Sequence, residues 1–169
     1  MYRIIMALIA GLAVAPAFAQ EPVGCDKFKW ALDRERALLT APDAEHVANG
    51  AAIDPPIEKA VAIKLAPLAD AKLPMAPERA PKSPSAQSGF LRVSALKQPG
   101  IYRITLSGGA WIDVVQDSHF VHSDASSGAL GCTGVRKSVV FDLGAGPFIV
   151  QLSGVPQDNI ALVMSPVRP

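Results

Sequence analysis

The chain reads as mainly β: an antiparallel, jelly-roll-like β-sandwich with one N-terminal amphipathic helix. Three observations predict this. From Phe90 onward apolar and polar residues alternate with the period of a half-buried strand, turn-forming clusters recur at short and even intervals, and the clearest helical spacing lies near the N-terminus. Strands separated so often by tight turns leave no room for the long crossovers of parallel βαβ units.

The first segment reads as an address. Arg3 supplies a positive start, Ile4 to Ala15 an apolar stretch too short to span a bilayer, and Ala17-Phe18-Ala19 a small-residue cleavage site. Residues 1–19 are therefore expected to be a secretory signal peptide. The mature chain is expected to begin at Gln20, to be periplasmic or secreted, and to have no membrane span after cleavage. From Lys27 to Thr40, Phe28, Ala31, Leu32, Leu38 and Leu39 fall near one side at helical spacing, with Asp33, Arg34, Glu35 and Arg36 assigned to solvent. Pro42 ends this helix, and the stretch to Asn49-Gly50 reads as irregular, with room for one helical turn. Val61, Ile63 and Leu65 alternate with Ala62 and Lys64, the period of a short strand. Between Pro67 and Pro84 five prolines interrupt Ala, Lys and Ser, which predicts an extended surface connector, partly polyproline II.

The sandwich body is expected over 90–169, following a helical segment over 20–58 and the strand and Pro-rich connector over 59–89; 20–169 form one domain. Leu91 and Val93 lead through Gln98-Pro99-Gly100 into Tyr102, Ile104 and Leu106, the pattern of a hairpin. Ser107-Gly108-Gly109 turns the chain into a strand from Trp111 to Gln116, and Asp117-Ser118 into a short strand around His119 to His122. A polar loop, Ser123 to Gly134, carries Cys132. Further strands follow around Val139 to Leu143, Phe148 to Leu152 and Ile160 to Met164, separated by Gly144-Ala145-Gly146-Pro147 and Pro156-Gln157-Asp158-Asn159. The predicted core is Leu91, Val93, Tyr102, Ile104, Leu106, Ile112, Val114, Val139, Phe141, Phe148, Val150, Leu152, Ile160, Leu162 and Met164. Trp111, Val115, Val140, Ile149 and Val163 then point outward, and the N-terminal helix is the expected cover.

Loss of Arg3 with the signal changes 16 basic against 15 acidic residues to 15 against 15. A neutral chain with dispersed charges argues against nucleic acid and anionic membranes as partners. About 150 mature residues suffice for one core. Cys25 and Cys132 are an even pair in an oxidising compartment and are expected to form a disulfide; neither has a C-x-x-C partner for metal. Such a bridge closes a loop of about a hundred residues, worth roughly 4.7 kcal/mol in the chain-entropy model.

The runs GIYRITLSGGAWIDVVQD, CTGVRKSVVFDL and PFIVQLSGVPQDNIALVMSP, with GCDKFKW and LDRERALL, resemble a family of short secreted proteins of Gram-negative bacteria without established activity. The resemblance covers nearly all of the mature chain. Some members of that family carry the label homogentisate dioxygenase, which implies ferrous iron held by His and carboxylate ligands. GIYRITL and GPFIVQL are also similar, more remotely, to jelly-roll modules appended to secreted peptidases, which implies an accessory role.

The residues themselves give the dioxygenase implication little material. The histidines are His46, His119 and His122, and His122-Ser123-Asp124 spells an H-x-D that lacks a downstream third ligand. His119, His122 and Asp124 are thus the only candidate metal set, and His119 and His122 fall on opposite faces of a continuous strand. Ser126-Ser127-Gly128 and Ser107-Gly108-Gly109 are turns and not nucleophile elbows, Asp113, Asp117 and Asp124 read as strand and turn residues, and no helix follows Gly144-Ala145-Gly146 to make a phosphate loop. Arg136-Lys137 reads as a solvated strand entry, with anion binding as the alternative. For ligand binding the candidates are Trp111, which would stack on a sugar ring, with Asp113 and Gln116 hydrogen-bonding hydroxyls. The expectation is a non-enzymatic periplasmic binding or accessory module without cofactor, its partner an envelope protein or glycan. The alternatives are a dioxygenase using iron and a carbohydrate-binding module centred on Trp111.

Overall fold

A computed structural model describes residues 21–167 apart from Pro56 and Glu58; the expected signal peptide lies outside the described residues. Two mixed, largely antiparallel sheets face each other. The elements are α1 (Asp33–Thr40), β1 (Glu45–Val47), β2 (Ala52–Ile53), β3 (Val61–Lys64), β4 (Ala66–Pro67), α2 (Leu68–Ala71), β5 (Gln87–Val93), β6 (Gly100–Leu106), β7 (Trp111–Gln116), β8 (His119–Val121), β9 (Ser123–Gly128), β10 (Lys137–Leu143), β11 (Phe148–Val155) and β12 (Asn159–Pro166), with a 3-10 turn over Cys25–Lys27 before α1. One sheet runs β1-β3-β12-β6-β10-β9, and the other runs β2-β5-β11-β7-β8 with β4 also on β5. Pairs nest in sequence: β3 with β12, β5 with β11, β6 with β10, β7 with β8. The body is therefore built largely from antiparallel pairs between strands far apart in the sequence, with β9 added at the edge beside β10.

The expected core forms. Every residue predicted for it is buried in the central cluster except Tyr102, which packs half-buried against its rim and donates its hydroxyl to the Gln98 carbonyl at 2.8 Å. Ile53, Ile63, Leu65 and Leu143 join that cluster, and so do Ile57 and Leu96. Alternation explains the strand residues, because each strand sends every second side chain into the space between the sheets, whereas Ile57, Leu65 and Leu96 enter it from the connections between strands.

Several local expectations are corrected. Leu91–Val93 and Tyr102–Leu106 are not a hairpin: β5 and β6 lie in different sheets, so Gln98-Pro99-Gly100 carries the chain across the sandwich. The polar stretch read as a loop from Ser123 contributes β9, paired with β10 from Lys137↔Gly128 onward. Small hydroxyl residues serve there because the strand is an edge with little to bury. The stretch after Pro42 holds β1, parallel to β3, and the parallel pair β2·β5 makes the second sheet mixed as well. One hairpin keeps its predicted turn: Asp117 and Ser118 adopt φ of 51° and 65° between β7 and β8, the left-handed pair that matches strand twist.

The N-terminal helix is shorter than its periodicity suggests. Residues 28–32 are not helical because their polar groups are engaged by the sheet. The Lys29 N–H donates to Ser127 Oγ at 2.9 Å, the Trp30 indole N–H to Ser138 Oγ at 3.2 Å, and Arg103 donates to the Ala31 carbonyl at 3.3 Å. Glu35, assigned to solvent from sequence, is buried. It accepts from Ser165 Oγ at 2.5 Å and lies 3.6 Å from the Arg103 guanidinium, which also sits 5.2 Å over the Trp30 ring. This polar lock docks α1 on β12 and covers the outer face around Thr105, Ser138 and Val163.

The Cys25–Cys132 disulfide is present, with Cα atoms 4.7 Å apart across 107 residues of sequence. Around it Val23 pairs with Leu130, and the Cys132 loop meets the end of α1 at Gly134. A side chain at Gly134 would meet Thr40 Cγ2, and the φ of +83° there is one that residues with a Cβ rarely adopt, so glycine suits the turn.

Candidate functional site

The outer face of the second sheet is covered by a different segment from the one expected. Trp111, Asp113 and Val115 project from β7 beside Ile149, Gln151 and Ser153 of β11, and it is the Pro-rich stretch, not the helix, that crosses them. Gln151 clamps that stretch in both directions: its Oε1 accepts from the Met75 N–H at 2.9 Å and its Nε2 donates to the Met75 carbonyl at 3.2 Å. Asp113 holds the next turn, accepting the Glu78 N–H at 3.3 Å on one oxygen and the Trp111 indole N–H at 2.6 Å on the other. The prolines prevent this segment from becoming a further strand, so side-chain amide and carboxylate groups satisfy its backbone instead.

Pinning residues 75–78 delivers Arg79 to the Trp111 ring, 5.4 Å from its centroid, while Lys137 from β10 lies 5.1 Å from it. Two cations on one indole make a cationic corner. Lys137 also donates to the Ala110 carbonyl at 2.8 Å. Burial, then the neighbouring Arg79 and Arg136 charges, lower the Lys137 pKa from its ordinary value, with Asp113 opposing them. Burial raises the Asp113 pKa, which its hydrogen bonds from Trp111 and Glu78 only partly offset.

This corner opens into a groove of about 1020 Å³. One wall is the N-terminal segment with Lys27 and Lys29, the other the Pro-rich stretch with Arg79 and Lys82, and between them lie Arg136 and Lys137 with the small residues of Ser107–Gly109 and Ser126–Gly128. Lys27 is paired with Asp26 at 2.7 Å and Arg136 with Glu21 at 2.5 Å. Lys29, Arg79, Lys82 and Lys137 have no salt-bridge partner among the described residues. Cations from sequence positions 27 to 137 thus converge in one place, although the chain as a whole is close to neutral. Arg136-Lys137 stands out in the sequence and Lys29, Arg79 and Lys82 do not, because no local pattern reveals which distant segments share a surface.

The other candidates are placed as follows. Gln116 is at the far end of β7 from Trp111 and points to the opposite side. Its amide is used up on the β10–β11 turn, donating to the Gly144 and Gly146 carbonyls at 3.2 and 2.9 Å and accepting from the Gly144 N–H at 2.9 Å. It therefore takes no part in the Trp111 groove. His119, His122 and Asp124 are exposed, and His119 and Asp124 belong to strands of opposite sheets. His119 Nδ1 contacts the Asp117 carbonyl at 2.7 Å. Among the described residues no three His, Cys, Asp or Glu side chains are placed to hold a metal ion, so this donor set does not fit iron and no iron chemistry is derived from it. Ser127 and Ser107 accept backbone N–H groups from Lys29 and Ala161 and are structural. No described helix is long and apolar enough to cross a membrane. Against known proteins, no family model matches the chain and no curated protein is significantly similar to it.

Proposed function

We propose that the protein is an exported, non-enzymatic binding module of the bacterial envelope, akin to the short secreted proteins it resembles, and that its ligand is a glycan lying in the groove beside Trp111. The observation that carries this reading is the groove itself: a long open depression, floored by Ser126 and the glycine backbone at Gly108, Gly109 and Gly128 and bordered by an indole held in place by Asp113. Sugars are bound by such mixtures of hydrogen-bonding groups and an aromatic edge. The disulfide supports export, because such bonds persist in oxidising compartments.

Gly109 provides the test. Its position has room for a Cβ, the nearest atom being Arg136 Cγ at 3.9 Å, so Gly109→Trp should project a bulky ring into the groove, with an unchanged urea unfolding midpoint as the check that the sheets are intact. Wild-type protein recovered from the periplasm should begin at Gln20 by intact mass and should co-sediment with purified envelope glycan, whereas Gly109→Trp should not. Equal co-sedimentation of both proteins would remove the groove from the reading.

A further inference from the structure

Given a groove that binds glycan, its charge specifies which kind. We propose that the ligand is an acidic polysaccharide, with carboxylate, sulfate or phosphate groups met by Arg79 and Lys82 from one wall and by Lys29, Arg136 and Lys137 from the rest of the groove. This rests on the reading above and adds the chemical class.

Three observations support it. First, the fold gathers cations here in excess of the acids beside them: Lys29, Arg79, Lys82 and Lys137 have no ion pair among the described residues, with the buried Asp113 alone acting on Lys137, while the chain as a whole is nearly balanced. Holding like charges together costs energy that an arriving anion offsets. Second, the cations come from separate segments fixed by independent devices. Gln151 and Asp113 pin the segment bearing Arg79, the disulfide and Ser127 pin the one bearing Lys29, and the β-ladder fixes Lys137. The backbone positions that present these cations to one opening are therefore fixed before a ligand arrives. Third, burial and the adjacent Arg79 and Arg136 charges depress the Lys137 pKa, so an anion at this corner would strengthen its protonated form. The lining favours a polysaccharide over a nucleic acid. Single-stranded nucleic acids are held on successive exposed aromatic platforms, and Trp111 is the one aromatic residue among those lining the groove, so no succession of platforms is present there.

The experiment measures affinity of the full mature protein for four probes of matched chain length: dextran, dextran sulfate, polygalacturonate and single-stranded DNA. Dextran sulfate or polygalacturonate should bind and dextran should not, and the preferred one of the two shows whether the lining meets sulfate or carboxylate more tightly. Arg79→Gln with Lys82→Gln should weaken that binding by at least about tenfold and reduce the salt slope by about two. The off-groove pair Arg34→Gln with Lys97→Gln, which removes the same charge, should leave it unchanged. Equal, salt-independent binding of dextran overturns the acidic class while the groove reading survives. DNA binding as tight as the best polysaccharide, or an equal loss in the off-groove pair, overturns the proposal in favour of general polyelectrolyte attraction. No binding to any probe, or binding that persists in Gly109→Trp, overturns both the acidic class and the groove.

Discussion

Asp113 carries an unusual load for a single side chain. It is buried on the outer face of β7, orients the Trp111 indole, and anchors the backbone of Glu78, so it positions the groove from beneath. Burial raises its pKa above the ordinary 3.8. An acid raised in the folded state binds its proton more tightly there than in the unfolded chain. Its contribution to stability is fully present below the ordinary carboxylate range and is lost as pH rises through the raised value. Asp113→Asn keeps an oxygen for the indole N–H, removes the buried charge, and turns an amide toward the Glu78 N–H. The variant should therefore be less stable than wild type at acid pH, with the difference shrinking as pH rises through the raised pKa. Urea unfolding midpoints across a pH series would show this convergence; a constant difference would mean that Asp113 titrates normally. Lys29, Arg79 and Lys82 are individually unremarkable surface cations, and their meaning comes from their shared position.

At the scale of elements, two short segments cover the two outer faces of the sandwich by different chemistry. Helix α1 is too short and too polar to dock by apolar burial alone, so the contact depends on Glu35, Ser165 and Arg103, with Trp30 laid against the Arg103 guanidinium. Arg103 Nε is buried without a hydrogen-bond partner, which increases the dependence of that cation on Glu35. Glu35→Ala should cost about 3 kcal/mol, because it leaves a largely buried guanidinium without its countercharge. Glu35→Gln should cost less, since it retains the acceptor for Ser165. Denaturant curves would measure both, and equal stability of the Ala variant would show that the lock contributes nothing. The helical periodicity of Lys27–Thr40 made Glu35 look like a solvent residue. The helix instead starts only at Asp33, after the sheet has taken the backbone and indole groups of residues 29–31, and this places Glu35 inward.

For the whole molecule, the disulfide decides whether the groove has two walls. It closes a loop of 107 residues, so reduction should lower stability by no more than about 4.7 kcal/mol by loop entropy. The core between the sheets draws on no residue before Ile53 in its buried part, so it should survive reduction while residues 21–32 loosen. Reduced protein should accordingly keep a cooperative unfolding transition, show altered Trp30 fluorescence, and lose affinity for any ligand held by Lys29. Thiol titration of unreduced, denatured protein should find no free cysteine. Two free thiols would sink this account of the N-terminal wall.

Sequence alone determined the β architecture, about two thirds of the inner core and the cysteine pairing. These depend on local period, on turn residues and on an even cysteine count, all of which are written along the chain. It also marked Trp111 and Asp113 as neighbours on one strand face. The tertiary structure alone decided which strands share a sheet, since Gln98-Pro99-Gly100 serves as well for a crossing between sheets as for a hairpin. It also decided that the Pro-rich stretch, held by Gln151 and Asp113, covers the Trp111 face while Gln116 is spent on a turn. The basic groove was illegible for the same physical reason. Charge composition sums over the chain, whereas electrostatic potential depends on distance in space, and only folding brings Lys29, Arg79, Lys82 and Lys137 to the same opening.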